Sequence, residues 1–443
     1  MSEVLVVPGR RARVTASVRS CLLILAAAAA FPTQSSDAQV VATPSGEAVT
    51  LRQVFDSIRS SSPLLGAAKA RARVAQGGVS SARTWSNPVL SFESEKMTDQ
   101  APGAAPQRET MTTAMLPLEP LYQRGPRIGR AQALMRAIQA DVLTQRQHLA
   151  VDAADAFYTV ALAQVNVAAT RSLAQWFDTV VTYNRVRVRE GVAAEADLIR
   201  SELERDHVLN ELAMAESDLA RGQADLQTFV GTSSDPVVPR VEIDSLPLAL
   251  AIARVKVSRP EVDAARERLA ASDANTRSER TMLLRELGAM VGTKNSGGSS
   301  SLVAGFTLPF PLLDQNRGNI AAARAERDVA QFELQQEKRN ADAELLGAEK
   351  SARILSERVA AFGSGRVSYL ARAEDARRIA LGAYREGGTT LLQVIDAARA
   401  WREARSSYFE TLFAQHRAII QLLVAEGVDV LDAWPGARAG ASQ

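Results

Sequence analysis

The chain has 443 residues, a formal net charge of +2 and only 5% aromatic residues. So few aromatics, with Ala, Arg, Gln and Glu crowding the middle of the chain, suit long helices with narrow apolar seams better than the thick core of a globular enzyme. The near-neutral charge gives no electrostatic case for a nucleic-acid partner.

In chain order, residues 1–38 read as a secretory signal. Arg10, Arg11, Arg13 and Arg19 form a basic flank, and Leu22 to Phe31 is an apolar stretch too short to span a bilayer. Ser36-Asp37-Ala38 then places small residues where cleavage requires them. Cys21, the single cysteine, stands at the start of the apolar stretch rather than after it, a poor place for lipid attachment. Cleavage after Ala38 removes four Arg together with Glu3 and Asp37, so the mature chain is formally neutral and holds no cysteine. Disulfides and thiolate metal sites are thereby excluded. No later segment is apolar enough for a membrane helix. An exported chain of this kind is periplasmic, secreted, or inserted as a β-barrel.

Ser62-Pro63 opens an Ala-rich helical stretch. Two segments of about ten residues follow, 87–97 and 109–116, separated by a loop with Pro-Gly and Ala-Pro turns. From about 126 to 230 the only punctuation is Gly191 and its neighbours, since no proline occurs between Arg127 and Asp235. Proline breaks helices, so this block reads as a helical hairpin with its tip at Gly191. Its first arm keeps a seven-residue apolar register. Ile128, Met135, Val142, Leu149, Ala156 and Ala163 follow one seam, and Val160, Val167, Ala174, Val181 and Val188 a neighbouring one. A sustained period of seven implies left-handed coiled-coil packing.

The same succession then returns. Arg259-Pro260 opens a helix, strands are expected at 284–294 and 301–309 around Asn295–Ser300, and a hairpin at about 318–427 turns at Gly387-Gly388. A kink is expected near Gly363 and Gly365. Leu302, Ala304, Phe306 and Leu308 alternate with Ser301, Val303, Gly305 and Thr307, as a half-exposed strand should. Leu116-Pro117 recurs as Leu308-Pro309, Arg189-Glu190-Gly191 as Arg385-Glu386-Gly387, and Gly231 as Gly427. Offsets of 192 to 197 across these landmarks indicate a tandem duplication, with repeats at 39–245 and 246–430 and a tail at 431–443. Ten residues is the length a tilted strand needs to cross a bilayer. Four strands cannot close a barrel around a channel, so several chains must contribute. A homo-oligomer is expected.

With these features the chain resembles the outer-membrane efflux factor (TolC-like) family. Tyr384-Arg-Glu-Gly-Gly-Thr-Thr-Leu-Leu-Gln-Val-Ile-Asp-Ala397 is similar to that family's second tip, Gly191-Val-Ala-Ala-Glu-Ala-Asp-Leu198 to its first, and Asn87-Pro88 to the approach to its first strand. Leu308-Pro-Phe-Pro-Leu-Leu-Asp-Gln-Asn-Arg-Gly-Asn-Ile320 and Arg124-Gly-Pro-Arg-Ile128 resemble its heavy-metal efflux (CzcC-like) branch. The resemblance implies a mainly α fold with a small β part. Long coiled-coil hairpins would form an α-barrel in the periplasm, and four strands per chain would enter a shared transmembrane β-barrel. It implies a homotrimer in the outer membrane, in contact with its lipid and partnered by a periplasmic adaptor and an inner-membrane efflux pump. The cargo would be heavy-metal cations; a multidrug or protein-secretion duct is the alternative within the family, and a periplasmic coiled-coil adaptor the alternative outside it.

The family's constriction maps onto Tyr384, Thr389, Gln393 and Asp396 in the second tip and Asp197 in the first. Gln393 stands where the family has an aspartate, and Thr389 where it has a basic residue. Arg189, Gly191, Val192, Arg385, Gly387 and Gly388 would meet the adaptor. Solvated helix-cap residues and ordinary turn glycines are the alternative for both sets. His148, His207 and His416 lie far apart, which argues against a zinc site or a Ser-His-Asp catalyst, and no phosphate-binding Gly-Lys-Ser/Thr loop is present. Neither an enzyme nor a resident cofactor is expected.

Overall fold

The computed structural model describes residues 48–96, 108–231, 237–240, 258–282, 287–308, 310, 312–363 and 367–434, all within the unit Pro44–Gln443. The expected signal with Cys21, most of the loop after the first strand, residues 284–286, Gly365 and most of the tail lie outside the described residues.

Caps and prolines set the helices. After a two-residue strand, β1 (Ala48–Val49), Thr50 opens α1 (Leu51–Ser61). Its hydroxyl accepts from the Gln53 N–H, while the Gln53 side chain accepts from the Thr50 N–H at 2.7 Å, a reciprocal capping box. Ser62 caps α2 (Pro63–Arg83), whose first-turn proline lacks an N–H that would have no intrahelical partner anyway. Strands β2 (Val89–Lys96) and β3 (Arg108–Pro117) follow. Then α3 (Pro120–Arg189) runs unbroken for 70 residues, about 105 Å at the usual rise. It begins earlier than the sequence suggested, because Pro126 falls in its second turn rather than ahead of it.

The return helix is α4 (Glu195–Val230), and β4 (Val238–Pro239) then pairs parallel with β1. The second half comprises α5 (Pro260–Thr281), β5 (Gly288–Ser296), β6 (Ser299–Thr307), α6 (Arg317–Ala361), α7 (Tyr369–Arg385), α8 (Leu391–Ala425) and a short α9 (Val430–Ala433). Where the sequence suggested one kinked helix, α6 and α7 are separate. Gly363, at φ +72°, ends the first, and Ser368 caps the second.

Among the described helices α3 is the central member. Near the sheet it is flanked by α2 and α5, with α6 against α5; toward the tips it is flanked by α4 and α8, with α6 and α7 against α8. A helix with neighbours on both sides must bury two stripes. Accordingly Val160, Val167, Ala174 and Val181 of one expected seam are buried, together with Phe157, Tyr158, Phe177 and Val180. Of the other seam only Leu149 is buried, and the remaining positions are half-buried. Close approach needs small residues: a Cβ on Gly222 of α4 would come within 3.1 Å of the Val160 side chain. The chain end is clamped onto the same helix. Arg146 pairs with Asp429 at 2.8 Å and Asp432 at 2.7 Å, and the Trp434 ring meets Phe55 edge-on at 5.3 Å.

The four strands β2-β3-β5-β6 form one antiparallel sheet in that order. The sequence placed the β5–β6 turn across six residues. In fact Asn295 and Ser296 remain paired to Ser300 and Ser299, and Gly297-Gly298 alone make the turn at φ +56° and +83°. Two successive positive φ values match the right-handed twist of a tight hairpin, and two glycines adopt them without a Cβ clash. The pairing also sorts the faces. Leu90, Ala114, Val291 and Ala304 lie in one row, Phe92, Thr112, Thr293 and Leu302 in the next, and Leu116, Ala289 and Phe306 in another, all on one side. Ser91, Glu93, Thr113, Met111 and Lys294 take the other side. Leu90, Phe92, Leu302 and Phe306 are each about 70–80% exposed.

His416 on α8 is buried against the rings of Tyr158 and Phe413, and its Nδ1 has no hydrogen-bond partner. Burial holds its pKa down from 6.5 to about 4. Between those values the unfolded chain binds a proton that the native chain does not, so stability is complete above pH 6.5 and falls as pH drops toward 4. At 1.36 kcal/mol per unit the loss is at most about 3 kcal/mol. The thermal midpoint of the purified protein should therefore fall between pH 7 and pH 4.5, and the fall should be smaller in His416→Leu.

Candidate functional site at the hairpin tips

The two tips are built alike. At the end of α3, the Gly191 N–H donates to the Val188 carbonyl and the Val192 N–H to the Arg187 carbonyl, with Gly191 at φ +73°. At the end of α7, the Gly387 N–H donates to Tyr384 and the Gly388 N–H to Ala383, with Gly387 at φ +78°. Both are Schellman closures, which satisfy the last free carbonyls and turn the chain. Arg189, Gly191, Val192, Arg385, Gly387 and Gly388 are all exposed there, and among the described residues neither arginine side chain has a hydrogen-bond or ion-pair partner.

Beyond each turn a helix begins. Glu195 and Asp197 occupy the first turn of α4, where the aligned N–H groups favour negative charge. Asp197 is half-buried and Asp396 exposed; among the described residues neither carries an ion pair. On α8 the core side chains are Val394 and Ile395, so Gln393 and Asp396 project together on the opposite, exposed face. The Thr389 hydroxyl donates to the Gln393 side-chain carbonyl. The two neutral side chains thus bond to each other.

Tyr384 behaves differently from the expectation. It is buried, not displayed at an opening, and its hydroxyl donates to the Asn184 side-chain carbonyl of α3 at 2.6 Å. Burial raises its pKa above the ordinary tyrosine value; nearby Arg187 opposes the shift and Asp197 adds to it. Around this bond the first tip grips the second. The Tyr183 hydroxyl donates to the Arg385 carbonyl at 3.2 Å, and the Arg187 guanidinium lies 5.5 Å from the Tyr183 ring and 5.7 Å from the Tyr384 ring. Further along, Arg399 pairs with both carboxylate oxygens of Glu204 at 2.6–2.7 Å, and Arg402 with Glu211 at 2.5 Å.

Sequence reading missed Tyr183, Asn184, Arg187 and these ion pairs. They lie mid-helix without motif spacing, and only the packing of two distant helices brings them together. Among the described residues no three His, Cys, Asp or Glu side chains gather as metal ligands: His148 and His207 are exposed and His416 buried.

Tyr384→Phe should lower the thermal midpoint. It leaves the fully buried Asn184, whose Nδ2 already has no partner, without its remaining bond, a loss of about 1–3 kcal/mol. Replacing both ends, Tyr384→Phe with Asn184→Leu, should recover part of that loss.

Comparison with known proteins agrees with this architecture. Residues 54–232 match the family model for outer membrane efflux protein. The cobalt-zinc-cadmium resistance protein CzcC of Cupriavidus metallidurans is 25% identical over 377 residues, covering 84% of this chain and 88% of that protein. The nickel and cobalt resistance protein CnrC of the same organism is 26% identical over 317 residues, covering 65% and 71%. Among solved structures the outer-membrane channel OprN superposes with a TM-score of 0.70 at 20% identity, covering 85% of this chain and 89% of that one. Over residues 54–232 the chain is thus similar to the outer membrane efflux protein family, and over most of its length to CzcC.

Proposed function

We propose that three copies of this chain form an outer-membrane duct that conducts heavy-metal cations outward, delivered by an inner-membrane pump through a periplasmic adaptor. The observation that carries this reading is the four-stranded sheet. Toward the helix end of the sheet one face displays Leu90, Phe92, Leu116, Val291, Leu302 and Phe306, all exposed, a state that water disfavours and lipid does not. Both edge strands, β2 and β6, have unpaired backbone groups that a hydrocarbon layer would not tolerate. Pairing β6 of one copy with β2 of the next satisfies them. The helices also expose apolar side chains: Val74 on α2, Leu203 and Met214 on α4, Val329, Phe332 and Ile354 on α6, and Ile379 on α7. A head-to-tail contact repeated around an axis closes both layers at once. Within this reading the chain is a tandem duplication, 39–245 and 246–430, contributing two hairpins.

Heavy metals as cargo are supported by the resistance functions named for CzcC and CnrC. In the ring, the exposed Asp396 carboxylates, with Asp197, would converge at the periplasmic entrance and attract cations, with an attraction that weakens as salt rises. Arg189, Gly191 and Val192, with Arg385, Gly387 and Gly388, would present the adaptor-docking ends.

Two measurements test this. Native mass measurement of the detergent-purified protein should give three copies; a folded monomer as the stable species would end the duct reading. In single-channel recordings Asp396→Asn should lower cation preference, and Gln393→Asp should raise it. Unchanged selectivity and divalent-cation block in Asp396→Asn, alone and with Asp197→Asn, would mean that these acids are solvated cap residues.

A further inference from the structure

The face of the sheet turned away from the apolar one carries three methionines, two of them directly opposed. Met115 of β3 stands opposite Met290 of β5, and Val89 and Gly305 complete their row. Met111 lies two rows further on, opposite Lys294. Residues paired in this way root their side chains about 5 Å apart. Both opposed methionines are half-buried.

Glycine settles where the two thioethers lie. A Cβ on Gly305 would stand 3.1 Å from Met290 Cε and 3.6 Å from its Cγ; one on Gly288 would stand 3.3 Å and 3.6 Å from the same atoms of Met115. Each sulfur is bonded to both of those carbons, so each thioether lies across a glycine. Side chains in place of these glycines would crowd the sulfurs. The setting is acidic. Glu93, Glu95 and Glu109 share this face with Lys294, which pairs with Glu109 at 2.6 Å. Methionines that served only to meet lipid would belong among Leu90, Phe92 and Leu302 on the other face. Here a thioether contributes a soft, polarizable sulfur, on a face whose carboxylates draw cations in.

We infer that Met115 and Met290 form a transient site for a soft monovalent cation, copper(I) or silver(I), on the lumen-facing side of the sheet. The inference rests on the duct reading, which turns the opposite face to lipid, and it narrows the cargo of that duct. Thioether sulfur selects soft cations over zinc or cobalt, which favour imidazole and carboxylate. Two neutral ligands hold an ion loosely, and a passage needs sites that release what they bind. In a ring of copies the pairs would stand at one level around the lumen.

Methyl NMR of the detergent-purified protein, isotope-labelled at the methionine methyls, tests the site with silver nitrate in chloride-free buffer. The Met115 and Met290 signals should shift together and saturate at one silver per chain. Met214, 64% exposed on α4, reports an isolated thioether and should not shift in that range. Zinc nitrate over the same range should leave the pair unshifted. With Met115→Leu, the Met290 signal should need at least about tenfold more silver, since losing even an outer partner of a metal ligand costs about 10–100-fold in affinity. Met290→Leu should do the same to Met115, so that a folding defect in one variant does not decide the matter. Signals at 115 and 290 that merely follow Met214 would overturn the site and leave the duct intact, because oligomer mass and the Asp396→Asn recordings do not depend on it. An equal response to zinc would overturn the soft-cation assignment. Saturation at the pair in a protein whose native mass is that of a monomer would keep the site and end the duct reading.

Discussion

Everything in this chain depends on α3 having neighbours on two sides. A single helix of 70 residues has little independent stability beyond its own hydrogen bonds, and it becomes a firm element only through burial of its apolar stripes. The Val160–Val181 stripe and the aromatic residues beside it commit α3 to a pair of flanking helices at every level. Because α4 and α8 take the flanks toward the tips while α2 and α5 take them near the sheet, the two halves of the sequence are joined along the length of one helix. The tips inherit their alignment from that join. Tyr384 reaches Asn184, and Arg399 reaches Glu204, because helices from different halves are already parallel neighbours.

Much of this architecture could be read from residue order alone, where local physics decides. Proline-free blocks marked the long helices, and Arg-Glu-Gly at 189–191 and 385–387 marked their closures, since only glycine enters the left-handed region there without strain. The alternation in β6 was legible because Leu302, Ala304 and Phe306 fall on one of its faces. That of β2, with Glu93, Glu95 and Lys96 among Leu90 and Phe92, became clear only once the pairing aligned it with three other strands. The β5–β6 turn misled because Asn and Ser are weak strand formers, yet Gly297-Gly298 supply all the turning and leave their neighbours paired.

The tip was less legible than the fold. Tyr384 sits in a motif that suggests an opening, but a tyrosine flanked by another helix's Asn184 and Tyr183 gains more from burial with its hydroxyl bonded than from display. Asn184 carries no sequence signal: a lone asparagine inside a long helix is ordinarily a surface residue. Gln393 and Thr389 looked like separate departures from a charged pattern. Their mutual hydrogen bond joins them as one neutral polar pair at the tip.

The open edges of β2 and β6 have a genetic meaning. If the proposed ring of three forms, every copy supplies both contacts to its neighbours, so no copy is redundant. A chain with one spoiled edge can still join through the other and leave the ring unsealed. If half of the chains in a cell carried such a lesion, only about one ring of three in eight would contain none, by random assortment in a closed oligomer. Lesions at these edges should therefore be dominant over the intact allele. Lesions that stop α3 from folding remove the chain before it can pair, and should be recessive.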